Sequence, residues 1–311
     1  MRRRRTPPRS PLPQRHGIDP VHLRLPAEGP WTTLGGYLEE RYAGGAGAGA
    51  IAGLLDSGQV YGEDARPVRP EDPWRPGAHL WFHRELPAEP VVPFPITVVH
   101  RDAHLVVADK PHFLATTPRG GHVVQTALAR LREELSLPEL SPAHRLDRLT
   151  AGLVLFTVRP EDRGAYQRMF ADREVHKEYE AVARFEPALT GTFPRTVRSR
   201  VEKERGVLAA REVPGPPNSE SRVELLDRHG PVARYRLLPR TGRTHQLRVH
   251  MCSLGLPILG DPLYPEVLDP APEDYADPLR LLARRLEFTD PVTGEARRFE
   301  SRRTLSTEPP R

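Results

Sequence analysis

The stretch from His144 to Phe156 constrains this chain more than any other, because it joins a polar loop to a run of residues that only a sheet interior accommodates. It reads His-Arg-Leu-Asp-Arg-Leu-Thr-Ala-Gly-Leu over His144–Leu153 and continues as Val154-Leu155-Phe156. A short unbroken apolar run behind a glycine reads as a strand of a buried sheet. The loop before it therefore delivers Asp147, set between Arg145 and Arg148, to the edge of a buried sheet. Nearby guanidinium groups hold such a carboxylate ionised and a rigid strand fixes its position, which suits a nucleophile or a general base. The same residues are also compatible with a loop closed by an Asx-type bond or an Asp147–Arg145 pair. Other segments have to decide.

Two later segments do. His176-Lys177-Glu178-Tyr179 opens a strand, and Arg240-Thr241-Gly242-Arg243-Thr244-His245-Gln246-Leu247-Arg248-Val249-His250 leads from a strand into a helix. With His-Arg-Leu-Asp, and in this order, they resemble the RluA-type RNA pseudouridine synthases, over about Thr97 to Phe299. The resemblance implies that Asp147 is the catalytic aspartate, that Tyr179 stacks on the target base, and that Arg248 pairs with the aspartate. It places Arg145 near the backbone of a flipped nucleotide and Leu281 in the lining of the pocket. The chain departs from the family pattern at Leu149, where an acidic residue is common, and at Ala151, where serine is common. It departs again at Leu281-Leu282-Ala283, where Leu-His-Ala is frequent. None of these changes removes a catalytic group.

The implied reaction breaks the bond between C1' and N1 of uridine, rotates the freed uracil and rejoins it through C5. It needs a carboxylate that attacks or abstracts a proton from the sugar, a dry pocket that retains the uracil, and a proton acceptor at C5. It needs no cofactor and no metal. His245 and His250 lie five apart, off the spacing of a helical ligand pair, and no cysteine or acidic cluster completes a shell around them. Together with Gln246 they read as hydrogen-bonding residues that brace Arg248 or its loop, and Arg243 reads as a phosphate contact. One rival is a catalytically inactive RNA-binding or ribosome-assembly protein of the same fold, but phosphate binding alone has no use for a carboxylate among arginines. Another is an aspartate-nucleophile hydrolase, which would want a second carboxylate or a metal that Asp147-Arg148-Leu149-Thr150 lacks.

Charge points to the same partner. The formal net charge is +5, and its basic residues concentrate in Arg2–Arg5, around Arg145 and Arg148, and around Arg240, Arg243 and Arg248. A polyanion, RNA, is the expected partner, ribosomal or transfer RNA by the resemblance, and no obligate protein partner is indicated. Only Lys110, Lys177 and Lys203 among the 46 basic residues are lysines, so guanidinium forks dominate phosphate contacts. Cys252 is the single cysteine, which excludes an internal disulfide and a thiolate zinc site. The arginines after Met1 are followed by prolines rather than an apolar core, and no apolar span is long enough for a membrane, so the expected location is cytoplasmic.

Along the chain, residues 1–28 read as a disordered basic tail and 29–86 as a small N-terminal domain. Its Ser57-Gly58-Gln59-Val60 and Arg75-Pro76-Gly77 resemble a small RNA-binding module shared with a ribosomal protein. Residues 87–95 read as a proline-rich linker, 96–302 as the catalytic domain and 303–311 as a disordered tail. Ile96–Val99 and Leu105–Ala108 predict a hairpin, and Val123, Val124, Leu128 and Leu131 predict one face of a helix. The expected fold class is α+β: a mixed, largely antiparallel sheet of the pseudouridine synthase type with a small N-terminal α/β appendage.

Overall fold

The computed structural model of the protein describes residues 8–42, 48–86, 88–268 and 274–308. The chain divides into two units, Met1–Pro87 and Ala88–Arg311.

In the first unit, strands β1 (Val21–Arg24), β2 (Val60–Tyr61) and β3 (His79–Phe82) form an antiparallel sheet in the order β1-β3-β2. Helices α1 (Leu34–Tyr42) and α2 (Ala48–Asp56) supply Leu34, Leu38, Ile51 and Leu55 to its core. Gly58 and Gly77 take positive φ at the turns before β2 and β3. Strand β1 lies inside the stretch expected to be a disordered tail. It is ordered because Leu23 and Leu25 enter the core and His22 stacks on His79 and Trp81, with centroids 4.8 and 5.0 Å apart. The first seven residues of that expected tail fall outside the described residues.

The second unit is built on one sheet of strands β4 (Thr97–Arg101), β5 (Leu105–Lys110), β6 (Ser141–Pro142), β7 (Ala151–Thr157), β8 (His176–Arg184), β9 (Arg195–Glu202), β10 (Arg211–Val213), β11 (Ser219–His229), β12 (Val232–Pro239), β13 (Leu281–Thr289) and β14 (Ala296–Glu300). Their order is β10-β9-β11-β12-β8-β13-β7-β5-β4, with β6 on β7 and β14 on β13. Every pairing among the described strands is antiparallel except β13 with β7, so the class is α+β with a mixed sheet. Helices α3 (Ala127–Glu134), α4 (Arg163–Ala171) and α5 (Gln246–Ser253) pack on it.

The apolar run after the loop is explained by two cores. Val154 and Phe156 of β7 face one cluster with Val106 and Ala108, while Leu153 and Leu155 face the other with Leu105 and Val107. A strand covered on both sides has no position for a polar residue, which is why alternation is absent.

The expected linker is part of this unit rather than a spacer. The Glu89 carboxylate accepts from the backbone N–H groups of Val123, Val124 and Gln125 at 2.8, 2.8 and 3.0 Å, and Val92 is buried. Arg303, expected in a disordered tail, donates to the carbonyls of Pro95 and Asp109 at 3.0 Å each. Residues 309–311 of that tail lie outside the described residues. Helix α3 starts at Ala127, capped by Thr126, whose hydroxyl accepts from Ala129 N–H at 3.1 Å. Val123 and Val124 precede it in a loop.

Candidate active site

The loop carrying Asp147 is held on both sides by a neighbouring segment. Thr116 bonds through its hydroxyl to the Leu146 carbonyl (2.8 Å) and N–H (3.1 Å). His112 Nδ1 donates to the Leu149 carbonyl at 2.8 Å, and Lys110 Nζ donates to the Arg148 carbonyl at 3.2 Å. Thr150 N–H closes the turn on the Asp147 carbonyl at 3.1 Å. His144 Nε2 accepts the Leu155 N–H at 3.1 Å, tying the loop to β7.

Lys110 is wholly buried and also donates to the carbonyls of Pro111 (3.0 Å) and Leu114 (2.8 Å). Burial pulls its ammonium down to about 7, with Asp147 pulling it back up. Three carbonyl acceptors match the three donors of a protonated lysine, so geometry favours the charged form. Burial likewise pulls His144 down to about 3 and His112 to about 4.

Gly152 lets β7 approach β13. Its φ is +110°, and a Cβ there would sit 2.3 Å from the Ala283 carbonyl oxygen and 2.6 Å from its nitrogen. Only glycine takes this conformation and this contact without strain.

Asp147 faces a cavity of about 1060 Å³ and is 31% exposed into it. Asp147, Arg145, Tyr179, Arg243, His245, Arg248 and Leu281 all line that cavity, so seven residues from four segments converge. Among the described lining residues Asp147 is the sole carboxylate, against nine arginine and lysine side chains, including Arg119, Arg173 and Lys177. Arg145 and Arg243 are exposed, Tyr179 is partly buried, and Leu281 is buried on β13. Burial, then Asp147, raises the Tyr179 phenol well above the usual range, keeping it a neutral donor and a stacking face.

Arg248 approaches Asp147 through Nη1 at 3.8 Å, but its direct partner is Asp261. Nε and Nη2 donate to the two Asp261 oxygens at 2.8 and 2.6 Å, a bidentate pair in which both side chains are at most 2% exposed. The guanidinium also lies 5.1 Å from the Tyr264 ring centroid. Fixed on one side by Asp261, Arg248 presents a charge of set position to Asp147. His245 starts α5 in the left-handed region, with Nε2 4.0 Å from Asp147 and Nδ1 3.0 Å from the Tyr264 hydroxyl. The Tyr264 hydroxyl donates to the Ala210 carbonyl at 2.9 Å and accepts from its N–H at 2.7 Å.

Bracing of the Arg243 loop falls to Gln246. Its Oε1 accepts from the Thr241 hydroxyl (2.7 Å) and Arg243 N–H (3.0 Å), and its Nε2 donates to the Glu220 carbonyl (3.0 Å) and Ser221 hydroxyl (2.8 Å). His250 points elsewhere, to Ser199 and Ser219. No group of three metal-ligating side chains occurs among the described residues.

Sequence reasoning missed Asp261, Tyr264 and the role of Lys110. Asp261 stands in Gly260-Asp261-Pro262, which reads as a turn, and nothing in its spacing ties it to Arg248. Lys110 carried one usable signal, as one of three lysines standing directly after an apolar strand.

Comparison with known proteins identifies the family. The family model described as RNA pseudouridylate synthase matches residues 104–253. The Dual-specificity RNA pseudouridine synthase RluA of Haemophilus influenzae is 30% identical over 68% of this chain and 95% of its own length. Ribosomal large subunit pseudouridine synthase D of Pseudomonas aeruginosa is 29% identical over 81% of this chain and 82% of its own. The structure of Human RNA Pseudouridylate Synthase Domain Containing 1 superposes with a TM-score of 0.55 at 24% identity, covering 69% of this chain and 86% of that one, which speaks to the fold. With its ordered motifs, its mixed sheet and a relative matched over nearly its whole length, the chain belongs to the RluA-type RNA pseudouridine synthases.

Proposed function

We propose that this enzyme converts particular uridines of structured ribosomal or transfer RNA to pseudouridine in the cytoplasm, with Asp147 as the catalytic carboxylate. The observation that carries the reading is Asp147 as the sole carboxylate among the described lining residues of a cavity that also holds nine arginine and lysine side chains. Such a cavity attracts phosphate while leaving one acidic group to act on the sugar. The target nucleotide leaves its stack to reach Asp147, at a cost of roughly a few kcal/mol that arginine–phosphate contacts offset. Tyr179 then faces the uracil, Leu281 closes the apolar side of the pocket, and Arg248 with His245 fixes the electrostatic surroundings of Asp147. Arg145 and Arg243, exposed at the cavity, bind the RNA backbone.

The experiment is a pseudouridine map of total RNA from cells with the intact gene, with a deletion, and with the deletion complemented by Asp147→Asn. A site that vanishes in the deletion and returns only with Asp147 identifies both reaction and substrate. An unchanged map in cells that express the protein points instead to an RNA-binding protein without chemistry.

A further inference from the structure

Beside the catalytic cavity lies a second pocket of about 340 Å³, lined by Arg173, Glu174, Val175, His176, Lys177, Leu238, Pro239 and Arg240. Arg173, Lys177, Pro239 and Arg240 line both, so the two spaces adjoin. Lys177 lies between the loops of the site. Its Nζ donates to the Thr241 carbonyl at 3.4 Å, and a Cβ on Gly242 would lie 3.9 Å from it. Among the described residues no carboxylate comes within 4.0 Å of this half-buried ammonium, whose own level is lowered by burial and then by Arg173. Arg240, 70% exposed, lies 3.8 Å from Glu220, which is already bonded to Arg198 at 2.8 Å. The one acidic lining group, Glu174, is exposed and faces three cations.

A partly desolvated ammonium without a counterion, as at Lys177, is unfavourable until an anion arrives. The strand geometry says where that anion belongs. Lys177 and Tyr179 are two apart on β8 and share a face, about 6.6 Å from each other along the strand. One strand thus presents an aromatic face and, one pleat away, a cation.

We propose that this pocket is a phosphate subsite, in which Lys177 and Arg173 hold an internucleotide phosphate of the RNA strand next to the uridine extruded towards Tyr179. The inference rests on the RNA-isomerase reading and adds a route for the strand, out of the catalytic cavity across the start of β8. A phosphate there offsets the repulsion between Lys177 and Arg173 and gives Lys177 a counterion.

The test is binding of oligouridylate, followed by fluorescence anisotropy across a series of KCl concentrations, in the full-length Asp147→Asn background so that no turnover intervenes. Lys177→Met keeps the aliphatic stem and removes the charge. It is expected to weaken binding and to lower the slope of log affinity against log salt by ~0.7, the share of one phosphate on a single strand. Lys177→Arg is expected to restore the slope. Arg173→Gln, on an exposed residue, gives the same reading should methionine at 177 disturb folding. Unchanged slopes in both neutral variants overturn the subsite, because a purely structural lysine moves affinity or melting without moving the salt term. Pseudouridine formation that still depends on Asp147 would then leave the enzyme reading standing, whereas its absence would reject that reading and not the binding result.

Discussion

Asp147 owes its position to neighbours rather than to its own bonds. The Thr116, Lys110 and His112 side chains hold the backbone of Leu146, Arg148 and Leu149, so the residue between them has little freedom. Lys110→Met, which leaves three carbonyls without a donor, is expected to lower both melting temperature and turnover, with oligouridylate affinity in the parent range. A thermal melt and a pseudouridine assay on one preparation check this. Arg248→Lys breaks the fork to Asp261 and leaves a buried carboxylate poorly paired, an expected loss of about 1–3 kcal/mol measured by denaturant unfolding. The buried histidines set the acid limit. His144 and His112 titrate at about 3 and 4 in the folded chain, against about 6.5 when unfolded. Between those values the unfolded chain binds more protons, so stability is complete above about 6.5 and falls as pH drops towards 4. A series of melts from pH 7 to pH 4 should show that decline, and His144→Gln should flatten it. Asp147, Tyr179 and Arg248 were legible in sequence because each sits in an ordered motif beside an apolar strand or helix. Asp261 and Tyr264 were not, since their importance lies in contacts across 13 and 54 residues that no local pattern encodes.

At the scale of elements, the parallel pairing of β7 with β13 depends on one missing side chain. Gly152→Ala meets the Ala283 backbone, which cannot retreat without unpairing the two strands, and φ of +110° adds strain of its own. The expected outcome is loss of soluble protein or a destabilisation above ~3 kcal/mol. Gly230→Ala, at φ +60° with nothing within 4 Å, is the control and should cost only ~1–2 kcal/mol. Soluble yield and melting temperature distinguish the two. Strands β5, β7, β8 and β12 announce themselves by apolar runs or alternation, and the hairpin of β4 and β5 by its short turn. The partners of β7 were hidden, because a run buried on both faces fits either neighbour order. Strand β1 was hidden too, since Val21-His22-Leu23-Arg24 offers too short an alternation to stand out from an arginine- and proline-rich stretch.

At the scale of the molecule, two units keep separate cores. The cluster of Leu23, Tyr37, Ile51 and Phe82 shares no residue with those of the second unit. A chain beginning at Ala88 is therefore expected to fold cooperatively and to retain Asp147-dependent isomerisation, checked by its melt and by the pseudouridine map. Any drop in RNA affinity on that truncation measures what the first unit contributes.

The second unit assembles its cavity from residues that run along the chain from Ala115 to Leu281. Because Leu282 and Ala283 pair with Ala151 and Gly152, the strand that backs the Asp147 loop is synthesised long after that loop. A nascent chain holding all three motifs still lacks that backing. The cavity therefore stays incomplete until β13 has been made, well after the Asp147 loop has left the ribosome.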